Sequence, residues 1–401
     1  MIEKNSSMRQ LIDFRLEKLN KLKELGIEPF PHKYNPTHKS IDIISSFNDL
    51  EKQTVCVAGR IMALRKMGKA SFIHVMDDKG KIQIFIKKDN VGEDVYDVFN
   101  LMDIGDFIGI NGFVFKTKVG EISISAEKFT VLSKSIRPLP IVKEKGGEVY
   151  DAFKDKELRY RNRHLDLITN PEVKEVFFLR ALIIKTVRDF LDDKGYLEVD
   201  TPVLQPLYGG ASARPFTTFH NTLEQKLYLR IASELYLKRL IVGGIERVYE
   251  IGKNFRNEGM DKSHNPEFTM LEFYESYSDV NDMMSITEEM FKRIAKKMNK
   301  DIFSFNGYDI DLSKKFTIAP MKDLFIKHLG VNVIELADLD LNKICKENDI
   351  DYKKYPHRGK IVEKIFSQVV EPHLIQPTFV TDYPVDISPL ARYKRDSNEN
   401  K

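Results

Sequence analysis

The chain has 401 residues, 42% hydrophobic and 31% charged, with 63 basic and 60 acidic side chains and a net charge of +3. That length supports two or three domains with cores of their own, and the composition excludes a disordered chain. The near-neutral balance excludes binding of nucleic acid by overall charge, so any such partner must meet a local basic surface. Cys56 and Cys345 lie far apart with no C-x-x-C spacing, which argues for buried free thiols rather than a zinc or redox site. No apolar run reaches the length of a membrane span and the first ten residues lack a signal-peptide core, so a cytoplasmic location is expected.

Residues 1–53 read as an N-terminal helix and a lead-in. Leu11, Phe14, Leu16, Leu19, Leu22 and Leu25 recur at helical spacing, with Arg9, Arg15, Lys18, Lys21 and Lys23 between them and Gly26 as a stop. The charged face is either solvated or a place for RNA phosphates. Residues 54–135 give strands at 55–64, 70–76, 81–86, 107–116 and 121–132, with a helix at 93–101 after the third strand. That order predicts an OB-fold barrel, whose outer face commonly binds single-stranded nucleic acid. Arg65, Phe72, Gln83 and Glu121 are expected on that face. Phe72 by itself reads more readily as barrel core, and Arg65 and Gln83 on adjacent strands tilt the balance to the face.

Residues 136–150, with Pro138, Pro140, Gly146 and Gly147, predict a linker into a second domain over 151–401. Arg159, Arg161, Arg163 and His164 follow, as solvated groups or as a grip on an RNA backbone. A helix is predicted over 171–194 with a broad apolar stripe, ended by Gly195 and followed by a strand over 196–201 and Pro202. Gly209 and Gly210 offer close approach of backbone to a ligand. Ser233 is expected to cap a helix whose first turn carries Glu234. Beyond residue 277, helices at 280–298, 320–329, 339–347 and 360–373 and strands at 308–312 and 378–381 read as scaffold, with His373 and Gln376 structural.

Two strand-like runs, 247–251 and 267–277, flank a polar loop and predict an antiparallel hairpin. One face of its second strand carries Phe268, Met270, Glu272 and Tyr274, the other Thr269, Leu271 and Phe273. Arg256 offers a planar five-donor fork for a phosphate, Glu258 and His264 suit a purine edge and a phosphate tail, and Phe268 suits base stacking. Arg-Asn-Glu alone would fit an ordinary solvated hairpin loop equally well.

The longer string, Phe255-Arg256-Asn257-Glu258-Gly259 followed by His264-Asn265-Pro266-Glu267-Phe268-Thr269-Met270, resembles the second signature motif of the class II aminoacyl-tRNA synthetases, and within them most resembles the lysyl family. The helix, strand and proline of 171–202 are similar to the first motif, which in that family forms a homodimer interface. The resemblance implies an α+β protein: an OB-fold anticodon-binding domain followed by a class II antiparallel sheet with flanking helices. It implies that Arg256 is catalytic and holds the α-phosphate of ATP, with Glu258, His264, Asn265 and Phe268 also binding ATP. It assigns Gly210, Glu234, Glu272 and Tyr274 to L-lysine, and Arg65, Phe72, Gln83 and Glu121 to the anticodon of tRNA(Lys). ATP and Mg²⁺ are the implied cofactors. The family's third motif and metal-binding carboxylates are expected beyond Lys401, so no metal ligand is named. By that expectation the chain is a fragment or a truncated product, incomplete in its sheet and unable to make lysyl-adenylate at a useful rate unaided. The alternatives are a non-catalytic tRNA-binding or regulatory protein that retains the OB-fold, and an aspartyl- or asparaginyl-type enzyme. Glu234 and Glu272 argue against the latter, since paired carboxylates suit a cationic substrate and repel an acidic one.

Overall fold

The computed structural model describes residues 2–140, 143–145, 148–150, 153–261, 263–355, 357–388 and 390–394. Gly146, Gly147 and Pro389 lie outside the described residues. The chain divides into two compact units, Met1–Lys174 and Glu175–Lys401.

The first unit opens with helix α1 (Ile2–Glu24), which buries Leu19 and Leu22. Its cations are not all on a free face. Arg15 is buried and donates to the carbonyls of Ser135 and Ile104, each at 2.9 Å, and Lys18 pairs with Asp103 at 2.6 Å. Five strands then close a barrel: β1 (Thr54–Met67), β2 (Ala70–Met76), β3 (Lys81–Lys87), β4 (Phe107–Lys116) and β5 (Ile122–Ser133), in the order β1-β2-β3-β5-β4, with β4 pairing back onto β1. Period-two alternation explains the closure. Ile73 and Val75 on β2 and Ile82, Ile84 and Ile86 on β3 all point inward, each worth roughly 1.5–3 kcal/mol on burial. Helix α2 (Glu93–Asn100), between β3 and β4, adds Tyr96 and Phe99 to that core. A bulge between Ile61 and Ala63 resets the register of β1, so that Arg65 stands opposite Phe72.

Within the stretch expected as a linker, Lys143–Lys145 pairs antiparallel with Glu148–Tyr150. The arginines after it are engaged internally. Arg159 reaches the fully buried Asp166 at 2.7 Å, Arg163 pairs with the same carboxylate, and Arg161 pairs with Glu157 at 2.7 Å. Arg159 and Arg163 thus share one buried carboxylate, which neutralises one of their two charges.

The second unit is built on helix α3 (Glu172–Asp193), strand β6 (Leu197–Glu198), helix α4 (Glu234–Val242), strands β7 (Arg247–Phe255) and β8 (Glu267–Glu275), and helix α5 (Val280–Lys297). β7 and β8 pair antiparallel over nine residues, from Arg247 opposite Glu275 to Phe255 opposite Glu267, and β6 joins β7 in parallel. The strand expected over 196–201 thus shortens to two residues. Tyr249, Ile251, Leu271 and Phe273 pack on Val187, Phe190 and Leu191 of α3 and on Ile286 and Met290 of α5. The opposite face carries Glu250, Gly252, Asn254, Met270, Glu272 and Tyr274. An Asp279 capping box with Asp282 starts α5.

The C-terminal segment has a separate core of Phe325, Leu341, Cys345, Val362 and Ile365. The helix expected over 360–373 is α-helical only over Arg358–Ile365. It then widens into a π turn over Phe366–Val370 and tightens into a 3₁₀ turn over Glu371–His373. Pro372, which has no N–H to donate, sits in that last turn. The buried-thiol expectation holds for Cys345 and not for Cys56, which is half-buried with its Sγ 3.2 Å from the Tyr34 hydroxyl.

Candidate active site and nucleic-acid face

The free face of the β7–β8 hairpin gathers four of the residues singled out in the sequence. Arg256 follows β7 directly, its N–H bonded to the Pro266 carbonyl at 2.9 Å, and its guanidinium lies over the Phe268 ring at 5.1 Å. This is cation–π geometry, and it holds a phosphate-type donor beside a flat apolar surface. Further along β8, the two oxygens of Glu272 accept from the Ser233 backbone N–H at 3.0 Å and from the Tyr274 hydroxyl at 3.2 Å. Burial, with the charges of Glu272 and Glu234 added, pushes the Tyr274 phenol well above its ordinary range, so the hydroxyl remains a proton donor.

Ser233 stands at the N-cap of α4, yet its side chain makes no capping bond. The expectation of a hydroxyl cap is corrected: a backbone N–H at this helix start is satisfied by the carboxylate of Glu272, from another element. Glu234 is the first residue of α4 and pairs with Lys238, one turn on, at 2.5 Å. It therefore already accepts an ammonium ion. Gly210 lies against it with φ +85°, and a Cβ there would meet Glu234 Cβ at 2.9 Å and Ala232 Cβ at 3.1 Å. Only glycine takes this conformation and spacing without strain. The loop holding Gly210 is tied to the hairpin by the Asn257 N–H, which donates to the Arg214 carbonyl at 2.7 Å.

The hydrogen-bond partners of His264 and Asn265 lie within the hairpin region itself. His264 Nδ1 and backbone N–H are both 2.8 Å from Asp261, whose carboxyl is held below its ordinary range chiefly by backbone N–H donors and then by His264. Asn265 donates to the Glu267 carbonyl at 2.6 Å, and Glu258 is exposed with its N–H on the Arg256 carbonyl at 3.0 Å.

Sequence reading missed what lies under the face. Arg230 and Glu250 form a buried ion pair, Thr201 bonds both, and Gly252 leaves the room they occupy. Asn254 Oδ1 and Arg256 Nε are buried without a hydrogen-bond partner among the described residues. Strand alternation from Arg256 back through Asn254, Gly252 and Glu250 was the available signal. Among the described residues, no group of three or more His, Cys, Asp or Glu side chains converges as a metal site, so the donor set here does not by itself fit Mg²⁺.

On the barrel, Phe72 faces Phe85 across the β2–β3 pair with ring centroids 4.9 Å apart, and Phe85 is followed by Phe115 at 6.2 Å. Beside this aromatic row runs a polar chain. Ser123 donates to Gln83 Oε1 at 2.8 Å, Gln83 Nε2 donates to Glu121 Oε2 at 2.7 Å, and Glu121 Oε1 lies 3.1 Å from His74 Nε2. The fold thus joins Arg65, Phe72, Gln83 and Glu121 on one outer surface. His74, Phe85, Phe115 and Ser123 belong to the same surface and escaped the sequence reading.

Residues 155–401 match the family described as tRNA synthetases class II (D, K and N), and residues 55–132 match the OB-fold nucleic acid binding domain. The chain is 48% identical over 395 residues to a lysine–tRNA ligase of Carboxydothermus hydrogenoformans, covering 98% of this chain and 80% of that protein. It is 48% identical over 400 residues to that of Pelotomaculum thermopropionicum (99% and 78% covered), and 49% identical over 393 residues to that of a Thermoanaerobacter species (97% and 77%). With an OB-fold barrel ahead of a class II hairpin and this identity over nearly its whole length, the chain belongs to the class II tRNA synthetases and, among them, to the lysine–tRNA ligase family.

Proposed function

We propose that the chain activates L-lysine with ATP and transfers it to tRNA(Lys), its barrel reading a UUU-type anticodon. The observation that carries this reading is the acidic pocket. Glu272 and Glu234 flank a Tyr274 kept protonated, with Gly210 as a wall, on the hairpin that also presents Arg256 and Phe268. Two carboxylates and a hydroxyl suit an ammonium side chain, whereas an acidic amino acid would set like charge against them. Support for ATP comes from the Arg256 guanidinium, a fork suited to a phosphate, set over the flat Phe268 ring.

In this reading a lysine carboxylate oxygen attacks the α-phosphorus and pyrophosphate leaves. A tRNA ribose hydroxyl then attacks the acyl carbon and AMP leaves. Arg256 stabilises the charge that grows on the α-phosphate, and the pocket fixes the carboxylate in line for attack. Mg²⁺, when bound with ATP, supplies further neutralisation of the phosphates.

A second copy of the chain covering the exposed Val176, Phe177, Leu179 and Leu182 of α3 is part of the same proposal. So is a cytoplasmic place of action. Among the described residues no helix is long and apolar enough to cross a membrane. The test is ATP–pyrophosphate exchange with each of the twenty amino acids, run with and without a C-terminal fragment of one of the relatives above. Lysine-dependent exchange is expected once the fragment is present, and exchange driven instead by aspartate or asparagine, or by none of the twenty even with the fragment, would overturn the proposal.

A further inference from the structure

We propose that His74 is a positioning residue for base reading by Glu121, and that it makes this reading pH-dependent. The inference rests on the anticodon role of the barrel face. Glu121 sits in the turn between β4 and β5 with both oxygens held, Oε2 by Gln83 Nε2 at 2.7 Å and Oε1 by His74 Nε2 at 3.1 Å. Gln83 is itself oriented, because its Oε1 accepts from the buried Ser123. A carboxylate accepts only, so His74 must present an Nε2–H to it. Each carboxylate oxygen keeps a free lone pair, and the Glu121 side chain is 44% exposed, so those lone pairs face a base stacked on Phe72 or Phe85.

A uridine offers its N3–H donor to such an acceptor, whereas cytidine N3 carries no proton and its donor is the N4 amino group at a different place on the edge, so the position in which the carboxylate is held decides between the two. Fixing the carboxylate therefore fixes the discrimination, and His74 supplies half of the fixing. Histidine is the side chain whose charge ordinarily changes between pH 5 and 8. An imidazolium against Oε1 draws the carboxylate toward itself and weakens it as an acceptor for the base. Of the charged groups on the surrounding elements, Arg65 on β1 stands opposite Phe72, Lys81 on β3 lies two residues from Gln83, and Lys118 lies in the turn of Glu121. All three are exposed cations at neighbouring positions. Gln83 is uncharged, and Ala63 lies opposite His74 on β1.

The experiment is fluorescence anisotropy of the full chain with a labelled stem-loop carrying UUU and with one carrying UCU, from pH 8 to pH 5.5. Wild type is expected to favour UUU at pH 8 and to lose several-fold of that preference by pH 5.5. His74→Gln, which keeps an N–H donor, is expected to hold the pH 8 preference at all pH values. His74→Ala is expected to lose about fivefold of it already at pH 8. His74→Ala with the wild-type preference and pH profile would overturn the inference while leaving the anticodon reading intact, provided Phe72→Ala weakens binding. No preference for UUU in wild type, together with no effect of Phe72→Ala, would overturn both.

Discussion

Arg230 and Glu250 meet as an ion pair only 2% and 3% exposed, directly under Gly252, where a Cβ would stand 2.1 Å from Arg230 Nη2. Arg230 comes from the strand end before α4, Glu250 from the middle of β7, and the guanidinium also donates to the carbonyls of Lys253 at 2.8 Å and Thr201 at 3.2 Å. The pair thus ties the residues just before α4 to the hairpin. Removing one member of such a pair leaves an uncompensated buried charge, which typically costs about 3–5 kcal/mol. Glu250→Ala is expected to destabilise the second unit by that amount in a urea titration. A change within 1 kcal/mol, on the order of a surface substitution, would show that the pair is not a support.

Gly210→Ala places a methyl group into Glu234 and Ala232 and forces a left-handed backbone on alanine, a strain of about 1–3 kcal/mol. The expected outcome is a raised KM for lysine with the KM for ATP little changed. Equal effects on both substrates would place Gly210 outside the amino-acid pocket.

Phe72→Ala is expected to weaken binding of an anticodon stem-loop by about 1–3 kcal/mol, the usual worth of one base on an aromatic ring. Phe85, 4.9 Å away, limits the loss by offering a second ring. Unaltered binding in a titration would remove Phe72 from the RNA face.

His328 stacks on His373 with ring centroids 4.9 Å apart and planes 11° apart, and its Nε2 is buried without a partner among the described residues. Burial, with His373 and Lys327 adding positive charge, holds its pKa below the ordinary 6.5. The unfolded chain therefore binds a proton at higher pH than the folded one. Stability from this site is full above about pH 6.5 and is lost as pH falls from there toward the lower folded value. Thermal unfolding at pH 7.5 and pH 5.5 is expected to show this loss, and His328→Gln is expected to reduce it. An identical pH dependence in the variant would assign the loss to other groups.

The barrel was legible because its strands are half-buried and alternate strictly. Ile73 and Val75, then Ile82, Ile84 and Ile86, announce both strand and inner face, and the predicted bounds of β2 and β4 match those observed. The hairpin was legible for the same reason, as was the placing of Phe268, Glu272 and Tyr274 on one face of its second strand. Contacts made across sequence were not legible. Arg230 finds Glu250 only once α4 is laid on β7, and the Ser233 N–H goes to Glu272, 39 positions away, where local rules expected a hydroxyl cap. Nothing in the strand pattern marked His74, whose contact with Glu121 forms only when the β4–β5 turn brings that carboxylate over β2 and β3.

The central claim, that the hairpin carries a pocket for a cationic amino acid, is tested most directly by calorimetric titration of L-lysine into the full chain and into the Glu234→Gln/Glu272→Gln double variant. Both proteins must first be shown to be folded by circular dichroism. Saturable lysine binding is predicted for wild type. For the double variant, binding is predicted to be weaker by about tenfold to a hundredfold, which corresponds to roughly 1.4–2.8 kcal/mol. Aspartate is predicted to bind neither. Equal lysine affinity in the two proteins, or aspartate bound as well as lysine by wild type, would contradict the account.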